Sequence, residues 1–400
     1  MRNNDFQENC RLTLKIITPV NIADNTKLNS KEYLYDAKKG ELYFLNQIAW
    51  HRFIFTKNLL SDYEKYMTGY DKRSLYEWLQ SYGYSIDDIK PAIMAKAAAH
   101  VNVMRQTGKK TLNDIITQTK TVSGAAYIPG SSLKGVIRTS ILYNLLNKNK
   151  SIQGKYWYNV KNDFAVAKAK RFYASKINNI IGRIATQLET DLLHKLNLHD
   201  EKDKPIKSNN AVCSVMRGIS ISDSEYMTET VPTAILQKVD YSLINGKVKD
   251  HPLPIFRECI LPSAQFAFQF KLDKTMTREI GINSVDELLK ILQDYFDFIN
   301  SILKEAFGRE CSALFDNITE GNIYLGSNTG FLHKTLVMAL APSRREAVNF
   351  VRDILDINFS NERNKHDGRK DTKISPRTLK ATRYNGKTML MGVGRIYKNE

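Results

Sequence analysis

The stretch YIPGSSLKGVIRTSIL, residues 127–142, carries the strongest local pattern in the sequence. Pro129 and Gly130 predict a turn, and Ser131 or Ser132 can cap the helix that follows it. The apolar residues of this helix recur at three- and four-residue spacing and would form its buried face: Leu133, Val136, Ile137 and Ile141. The pattern therefore predicts a capped amphipathic helix.

The start of the same helix has the residue types of a phosphate site. Lys134 and Arg138 stand one turn apart on one side of the helix, near the Ser131 and Ser132 hydroxyls. Two cations, hydroxyls and free backbone N–H donors can together hold a phosphate. A capped helix without a ligand explains the same residues, so both interpretations stay open. The match of residues 131–134 to the SxxK motif of penicillin-binding enzymes is a coincidence, because no KTG follows it.

A second glycine-bearing stretch, YLGSNTGFLHKT, covers residues 324–335. Gly326 and Gly330 let the backbone approach a ligand closely. The stretch is not a Walker A loop, because His333 stands where that motif needs a glycine before Lys and Thr. A glycine turn between two strands is the plainer interpretation. Contact of Asn328, His333 and Lys334 with a sugar or phosphate is the functional alternative.

The charge of the chain favours a polyanionic partner. Its 59 Lys and Arg residues exceed its 42 Asp and Glu residues, which gives a formal net charge of +17 and a pI near 9.5. Nucleic acid is the leading class of partner for such a surface. An anionic membrane is a weaker alternative, because no apolar span of about 18 residues and no amphipathic basic anchor helix is found. The polar start of the sequence does not read as a signal peptide, so we predict a globular cytoplasmic protein.

Metal and redox chemistry find little support in the sequence. The four cysteines are far apart and predict reduced, mostly buried thiols. No HxxxH, CxxC or DxD grouping provides a set of metal ligands, so we predict no metal and no other cofactor. His51 and His100 fall in stretches that predict helices, where surface or core-edge positions are commoner for histidine than a catalytic role.

Strands and helices alternate along the whole sequence. Strands are predicted at 11–18, 32–36, 41–45, 211–221, 265–272, 335–340 and 388–397, with Gly40 available for the turn of a hairpin. Helical patterns cover 47–105, 163–198, 285–307 and 344–355. Loops are predicted at 105–111, 199–210 and 358–376, the last of them mobile. The order predicts an α+β protein, and the polar stretch 241–254 suggests a boundary between domains 1–245 and 246–400.

The sequence resembles the RAMP superfamily of CRISPR proteins, and within it most closely the family of fifth subunits of type III-A (Csm) effector complexes. The resemblance rests on residues 16–22, 128–139 and 325–335, of which the middle stretch is the most specific. A weaker match at 374–380 adds Arg377 and Lys380 to the candidate RNA-binding residues. The family usually has His and Gly where this chain has Asn21 and Ala23.

The resemblance implies two ferredoxin-like (RRM-type) domains with helical insertions. It also implies a crRNA-binding structural subunit that caps the 3′ end of the crRNA and supports crRNA maturation in antiviral defence. The implied partners are crRNA, the backbone RAMP subunit, the small helical subunit and recruited host nucleases. Such complexes hold the guide through its backbone, so phosphate contacts matter more than base contacts.

An endoribonuclease of the same superfamily, acting in crRNA processing or target RNA cleavage, is the alternative function. Backbone subunits use an Asp in the first loop, and many processing enzymes use a His there. Asp24 is the one candidate in this chain, and a short acidic residue in a loop is more often a turn former. We therefore predict a protein without catalytic activity.

Overall fold

The structure is a computed structural model that describes residues 6–100, 112, 114–170, 172–227, 231–244, 246–360 and 365–399. Within these ranges it has fifteen strands and ten α-helices, so the predicted α+β class is confirmed. The strands are β1 (Gln7–Ile16), β2 (Ala23–Leu28), β3 (Tyr33–Asp36), β4 (Glu41–Leu45), β5 (Ile93–His100), β6 (Ile115–Gln118), β7 (Ile219–Ile221), β8 (Glu225–Tyr226), β9 (Thr233–Ile244), β10 (Lys247–Ile260), β11 (Gln265–Asp273), β12 (Ile323–Tyr324), β13 (Thr378–Tyr384), β14 (Lys387–Leu390) and β15 (Val393–Lys398). The helices are α1 (Gln47–Thr56), α2 (Leu60–Thr68), α3 (Leu75–Ser81), α4 (Gly130–Lys148), α5 (Lys150–Ala169), α6 (Ala174–Leu193), α7 (Lys274–Thr277), α8 (Val285–Asp316), α9 (Val337–Leu340) and α10 (Arg344–Asn358).

The first sheet is antiparallel and has the strand order β12-β15-β1-β11-β7, with β8 pairing β11 outside this path. The central strand β1 alternates as predicted, with Leu12, Leu14 and Ile16 buried. These side chains belong to one core cluster with the apolar residues of α4 and α8. Helices α4 and α8 therefore share the core of this sheet.

The second sheet has the order β2-β6-β10-β9-β5-β4-β3, and β13 pairs with β9 and β14. The predicted hairpin of β3 and β4 is confirmed, with Gly40 at φ +66° in its turn. Strands β9 and β10 form a long antiparallel hairpin around Gly246. This hairpin spans the predicted boundary at 245/246, and the pairing of β1 with β11 and β15 also joins residues from both sides of it.

Helices α1 to α3 form an insertion between β4 and β5 with a core of its own, centred on Trp50 and Trp78. Helix α3 begins at a capping box made by Ser74 and Glu77, which satisfies backbone donors at the helix start. Helices α5 and α6 pack beside α4, and α10 packs against them through Phe350.

Most predicted elements are confirmed, including the strand at 265–272, the helices at 285–307 and 344–355 and the loop at 199–210. Five predictions are wrong. Residues 93–100 form β5 rather than a helix, because pairing with β4 and β9 overrides the helix propensity of their alanines. The helix predicted at 163–198 is broken into α5 and α6, and residues 211–218 form two 3₁₀ turns. Residues 337–340 are a helical turn, and residues 391–392 interrupt the last strand. The loop predicted at 105–111 lies outside the described residues.

Candidate nucleic-acid interface

The glycine-bearing loop 325–330 docks against the loop that follows β1. The Ser327 N–H donates to the Asn21 carbonyl oxygen at 2.8 Å, and the Ser327 hydroxyl donates to Asn21 Oδ1 at 2.5 Å. Gly326 has φ +98°, and a Cβ there would lie 2.5 Å from the Asn21 carbonyl oxygen. Only glycine fits this contact without displacing one of the two loops. Two of the stretches that carry the family resemblance are therefore held together backbone to backbone.

Asn21 is buried and ties this junction to the second sheet. Its amide nitrogen donates to the carbonyl oxygens of Glu258 at 2.7 Å and Thr117 at 3.2 Å. The Arg257 guanidinium donates to Asn21 Oδ1 at 3.1 Å and to the Ser327 hydroxyl at 2.7 Å. The residue that departs from the usual family pattern thus has a structural role here.

Two cations, Arg257 and Lys334, lie next to the docked loops. Burial lowers the pKa of Arg257, and burial together with Arg257 lowers the pKa of Lys334. Among the described residues, neither side chain forms an ion pair with a carboxylate. Positive charge that is partly desolvated and not neutralised by the protein attracts an anion strongly.

A groove of about 410 Å³ opens at this junction. Its walls come from the first loop, from one face of α4 and from the glycine-bearing loop: Ile22, Ala23, Ser132, Gly135, Val136, Thr139, Tyr324, Leu325, Gly326, Ser327, Thr329, His333 and Lys334. No acidic residue of the described chain lines it. The structure therefore brings the predicted residues Ser132, Gly326, His333 and Lys334 to one place.

The start of α4 differs from its prediction. Pro129 is the N-cap, and neither Ser131 nor Ser132 makes a capping hydrogen bond, so the predicted serine cap is wrong. Instead the Gly130 N–H donates to Asp223 Oδ1 at 2.9 Å. A carboxylate satisfies the first donor of this helix and already complements its positive end. Ser132 still lines the groove, whereas Ser131 is exposed outside it.

The two cations predicted on α4 are electrostatic neighbours. Burial and the nearby Arg138 lower the pKa of Lys134. Arg138 is exposed and pairs with Glu189 on α6 at 2.8 Å. Neither residue lines the groove beside the glycine-bearing loop.

Asn328, Gly330 and His333 support the shape of the loop. Asn328 is buried, and its amide faces the Met391 sulfur at 3.1 Å. Gly330 turns the chain at φ +95°. The His333 ring packs against Tyr324, with ring centroids 4.0 Å apart, and burial followed by Lys334 lowers the pKa of His333 to about 3. The imidazole is therefore neutral at physiological pH.

Arg377 and Lys380 do not line the groove. Together with Gly330 and His333, they line a second cavity of about 460 Å³. Arg377 pairs with the buried Asp371 carboxylate, which also accepts a hydrogen bond from the Ser375 hydroxyl. Lys380 pairs with Asp240 at 2.7 Å. Both cations are thus largely neutralised by the protein.

Asp24, the candidate catalytic residue of the nuclease alternative, lies in β2. Its Oδ1 accepts hydrogen bonds from the Thr26 N–H at 2.9 Å and the Thr117 hydroxyl at 2.7 Å. These bonds hold β2 against β6, and Asp24 does not line the groove. The described part of the chain contains no group of three or more His, Cys, Asp or Glu side chains arranged to hold a metal ion.

Arg257 is the functional candidate that the sequence pattern missed. It sits within β10, three residues after Pro254, in a strand without glycine or regular alternation that would draw attention to it. Its position at the docked loops arises from contacts between distant segments, and the hydrogen bonds to Asn21 and Ser327 show it. The buried state of Cys213, Cys259 and Cys311 was predicted, and all four cysteines are free. No helix among the described residues is long and apolar enough to span a membrane.

Comparisons with known proteins identify relatives of the chain. The sequence model of the RAMP superfamily matches residues 13–326. Mycobacterium tuberculosis CRISPR system Cms protein Csm5 is 24% identical over 97% of each chain, and the Csm5 of Streptococcus thermophilus is 25% identical over 83% of this chain and 81% of the relative.

Two solved structures share the fold at 16% sequence identity. A chain of the cryo-EM structure of a Csm-crRNA-target RNA ternary complex, from a type III-A CRISPR-Cas system, superposes with a TM-score of 0.65 over 98% of this chain and 100% of its own. The crystal structure of T.onnurineus Csm5 gives a TM-score of 0.57 over 96% of this chain and 99% of its own. The motifs, the fold and the family match over most of its length show that the chain belongs to the RAMP superfamily.

Proposed function

We propose that the chain is a crRNA-binding structural subunit of a type III-A CRISPR effector complex. In this role it covers the 3′ end of the crRNA and supports crRNA maturation in antiviral defence. The similarity to Csm5 from two organisms and the shared fold with a chain of a Csm complex support this assignment. Its partners would be crRNA, the backbone RAMP subunit, the small helical subunit and recruited host nucleases, in the cytoplasm.

The groove beside the glycine-bearing loop is the observation that carries the proposal. Lys334 lines it, Arg257 lies behind Ser327, and neither cation is neutralised by a described carboxylate. Such a groove recognises the phosphate backbone of a single strand and ignores its sequence. That is the recognition a subunit needs when its guide RNA changes from one complex to the next.

The first sheet supports the fold that the family resemblance implies. Its elements β1, α4, β7, β11, α8 and β15 follow a β-α-β-β-α-β order along the chain, and the strands lie in the order β15-β1-β11-β7. This is the arrangement of a ferredoxin-like unit. We propose that it is one of two ferredoxin-like domains, with the second sheet as the core of the other.

Salt-dependent RNA binding tests the groove. The full-length chain is titrated with a short single-stranded RNA between low and moderate salt. Lys334→Ala is expected to weaken binding and to lower the slope of log affinity against log salt by about 0.7, the value for one lost phosphate contact with a single strand. Lys290→Ala is the matched control, because Lys290 is exposed on α8 and does not line the groove. An unchanged slope for Lys334→Ala would contradict the proposed phosphate contact.

Two further experiments test the structural role. The wild-type chain should leave RNA intact with or without divalent metal, and cleavage that Asp24→Ala abolishes would favour the endoribonuclease instead. A complex assembled without this subunit should contain crRNA with long or ragged 3′ ends. Uniform, mature crRNA in that complex would rule out the role at the 3′ end.

A further inference from the structure

An apolar cavity of about 520 Å³ adjoins the groove. It is enclosed by α4, α5, α6 and α10 and by residues 331–340, and its apolar walls include Leu142, Trp157, Val160, Ile181, Ile184 and Leu188. Its size lies within the range of about 300–1,000 Å³ that is usual for small-ligand pockets. No role described above uses it.

The cavity and the groove share part of their walls. Gly135, Thr139 and Lys334 line both. Gly135 lies inside α4, where glycine is less favourable than alanine. A Cβ at Gly135 would meet no protein atom within 4 Å. Protein packing therefore does not require this glycine, and it leaves open space where the groove adjoins the cavity.

Polar residues also line the cavity, among them the Arg138–Glu189 ion pair, Asn178 and Asn358, and two further side chains bear on its ligand. Phe331 lies in the loop just after Gly330, lines the cavity, and is 39% exposed. The Thr335 hydroxyl, which also lines the cavity, is buried and has no hydrogen-bond partner among the described residues. A buried hydroxyl without a partner is unfavourable, and a ligand with a polar edge would satisfy it.

We propose that this cavity takes one nucleobase of the bound RNA, turned out of the strand whose phosphates lie in the groove. The inference rests on the proposed function. A base has a flat apolar face that can stack on Phe331 and a polar edge that can bond to the Thr335 hydroxyl. Its phosphate remains beside Lys334, the cation at the junction. An aliphatic side chain from a protein partner would leave both Thr335 and the charge of Lys334 without a partner.

Abasic RNA tests the proposal with the full-length chain. A short single-stranded RNA is compared with versions in which one nucleotide at a time lacks its base. In the wild type, one abasic position is expected to weaken binding by about tenfold, the effect of losing one stacked base, while the others change little. A 2-aminopurine placed at that position should change its fluorescence on binding.

Two variants then remove the cavity by different means. Phe331→Ala removes the stacking surface, and Ala185→Trp fills the cavity from an exposed position on α6 that lines it. In both, the sensitive position should become indifferent to loss of its base. Phe55→Ala, which changes an exposed phenylalanine on α1, is the control and should retain the tenfold effect.

Three results would overturn the inference. Equal losses at every abasic position in the wild type would mean that no particular base enters a site. Variants that bind every RNA like the wild type but fail to assemble with the backbone subunit would show that the cavity holds a protein side chain. Absence of any RNA binding by the wild type would overturn the proposed function itself, and the occupant of the cavity with it.

Discussion

His333→Phe is expected to reduce the loss of stability that acid causes in this protein. Burial, followed by the charge of Lys334, holds the pKa of His333 at about 3 in the folded protein. The imidazole pKa is about 6.5 in an unfolded chain. Below pH 6.5 the unfolded state therefore binds a proton that the folded state excludes. His333 contributes stability that is fully present above pH 6.5 and is lost progressively as the pH falls toward 3.

The size of the effect follows from the two pKa values. Between pH 7 and pH 5, one such histidine lowers the free energy of unfolding by about 2 kcal/mol. Most structural carboxylates remain ionised in this range, so the change can be assigned to histidine. Phenylalanine keeps an aromatic ring against Tyr324, whose ring centroid lies 4.0 Å from that of His333, and it cannot bind a proton.

Urea unfolding at pH 7 and pH 5, followed by tryptophan fluorescence, measures the effect. The wild type should lose about 2 kcal/mol more than His333→Phe between the two pH values. His51→Gln, at an exposed position on α1, should behave like the wild type. Equal losses in the wild type and His333→Phe would refute the reasoning, because they would mean that the folded protein accepts the proton.

Two further substitutions test the junction and the second sheet. Gly326→Ala should lower the free energy of unfolding by about 3 kcal/mol, because it strains the backbone and breaks hydrogen bonds to Asn21. Gly154→Ala is the control: it has open space around it on α5 and should be neutral or slightly stabilising in the same urea titration. Lys120→Met should lower the free energy of unfolding by about 3–5 kcal/mol, because it leaves the fully buried Glu258 carboxylate without the ammonium now 2.8 Å away. Adding Glu258→Gln should recover much of that loss. A double variant no more stable than Lys120→Met would contradict this account.

Local pattern was sufficient for elements whose hydrophobic period matches their final environment. The alternation in β1 and β11 and the long apolar face of α8 are visible in the sequence, and the hairpin around Gly40 needs only its turn residue. Strand β5 could not be predicted in this way, because its alanines favour a helix until β4 and β9 pair with it.

The candidate site shows the same division. Ser132, Gly326 and Lys334 were predicted from motifs, and the fold brings them to one groove. Arg257 was not, because its strand has no local signal and its partners are far away in the sequence. The carboxylate of Asp223 at the start of α4, in place of a serine cap, likewise depends on a contact between segments about 90 positions apart.

The central place of β1 in the first sheet has a consequence for synthesis of the protein. This strand leaves the ribosome well before either of its neighbours, β11 and β15, has been made. The Thr13 hydroxyl donates to Asn399 Oδ1 across 386 positions of sequence. At about 5–20 residues per second, β1 must wait roughly 20–80 s for β15, and the edge that β15 covers stays open to pairing with other chains for all of that time. The nascent chain therefore needs protection of that edge until β15 has been made.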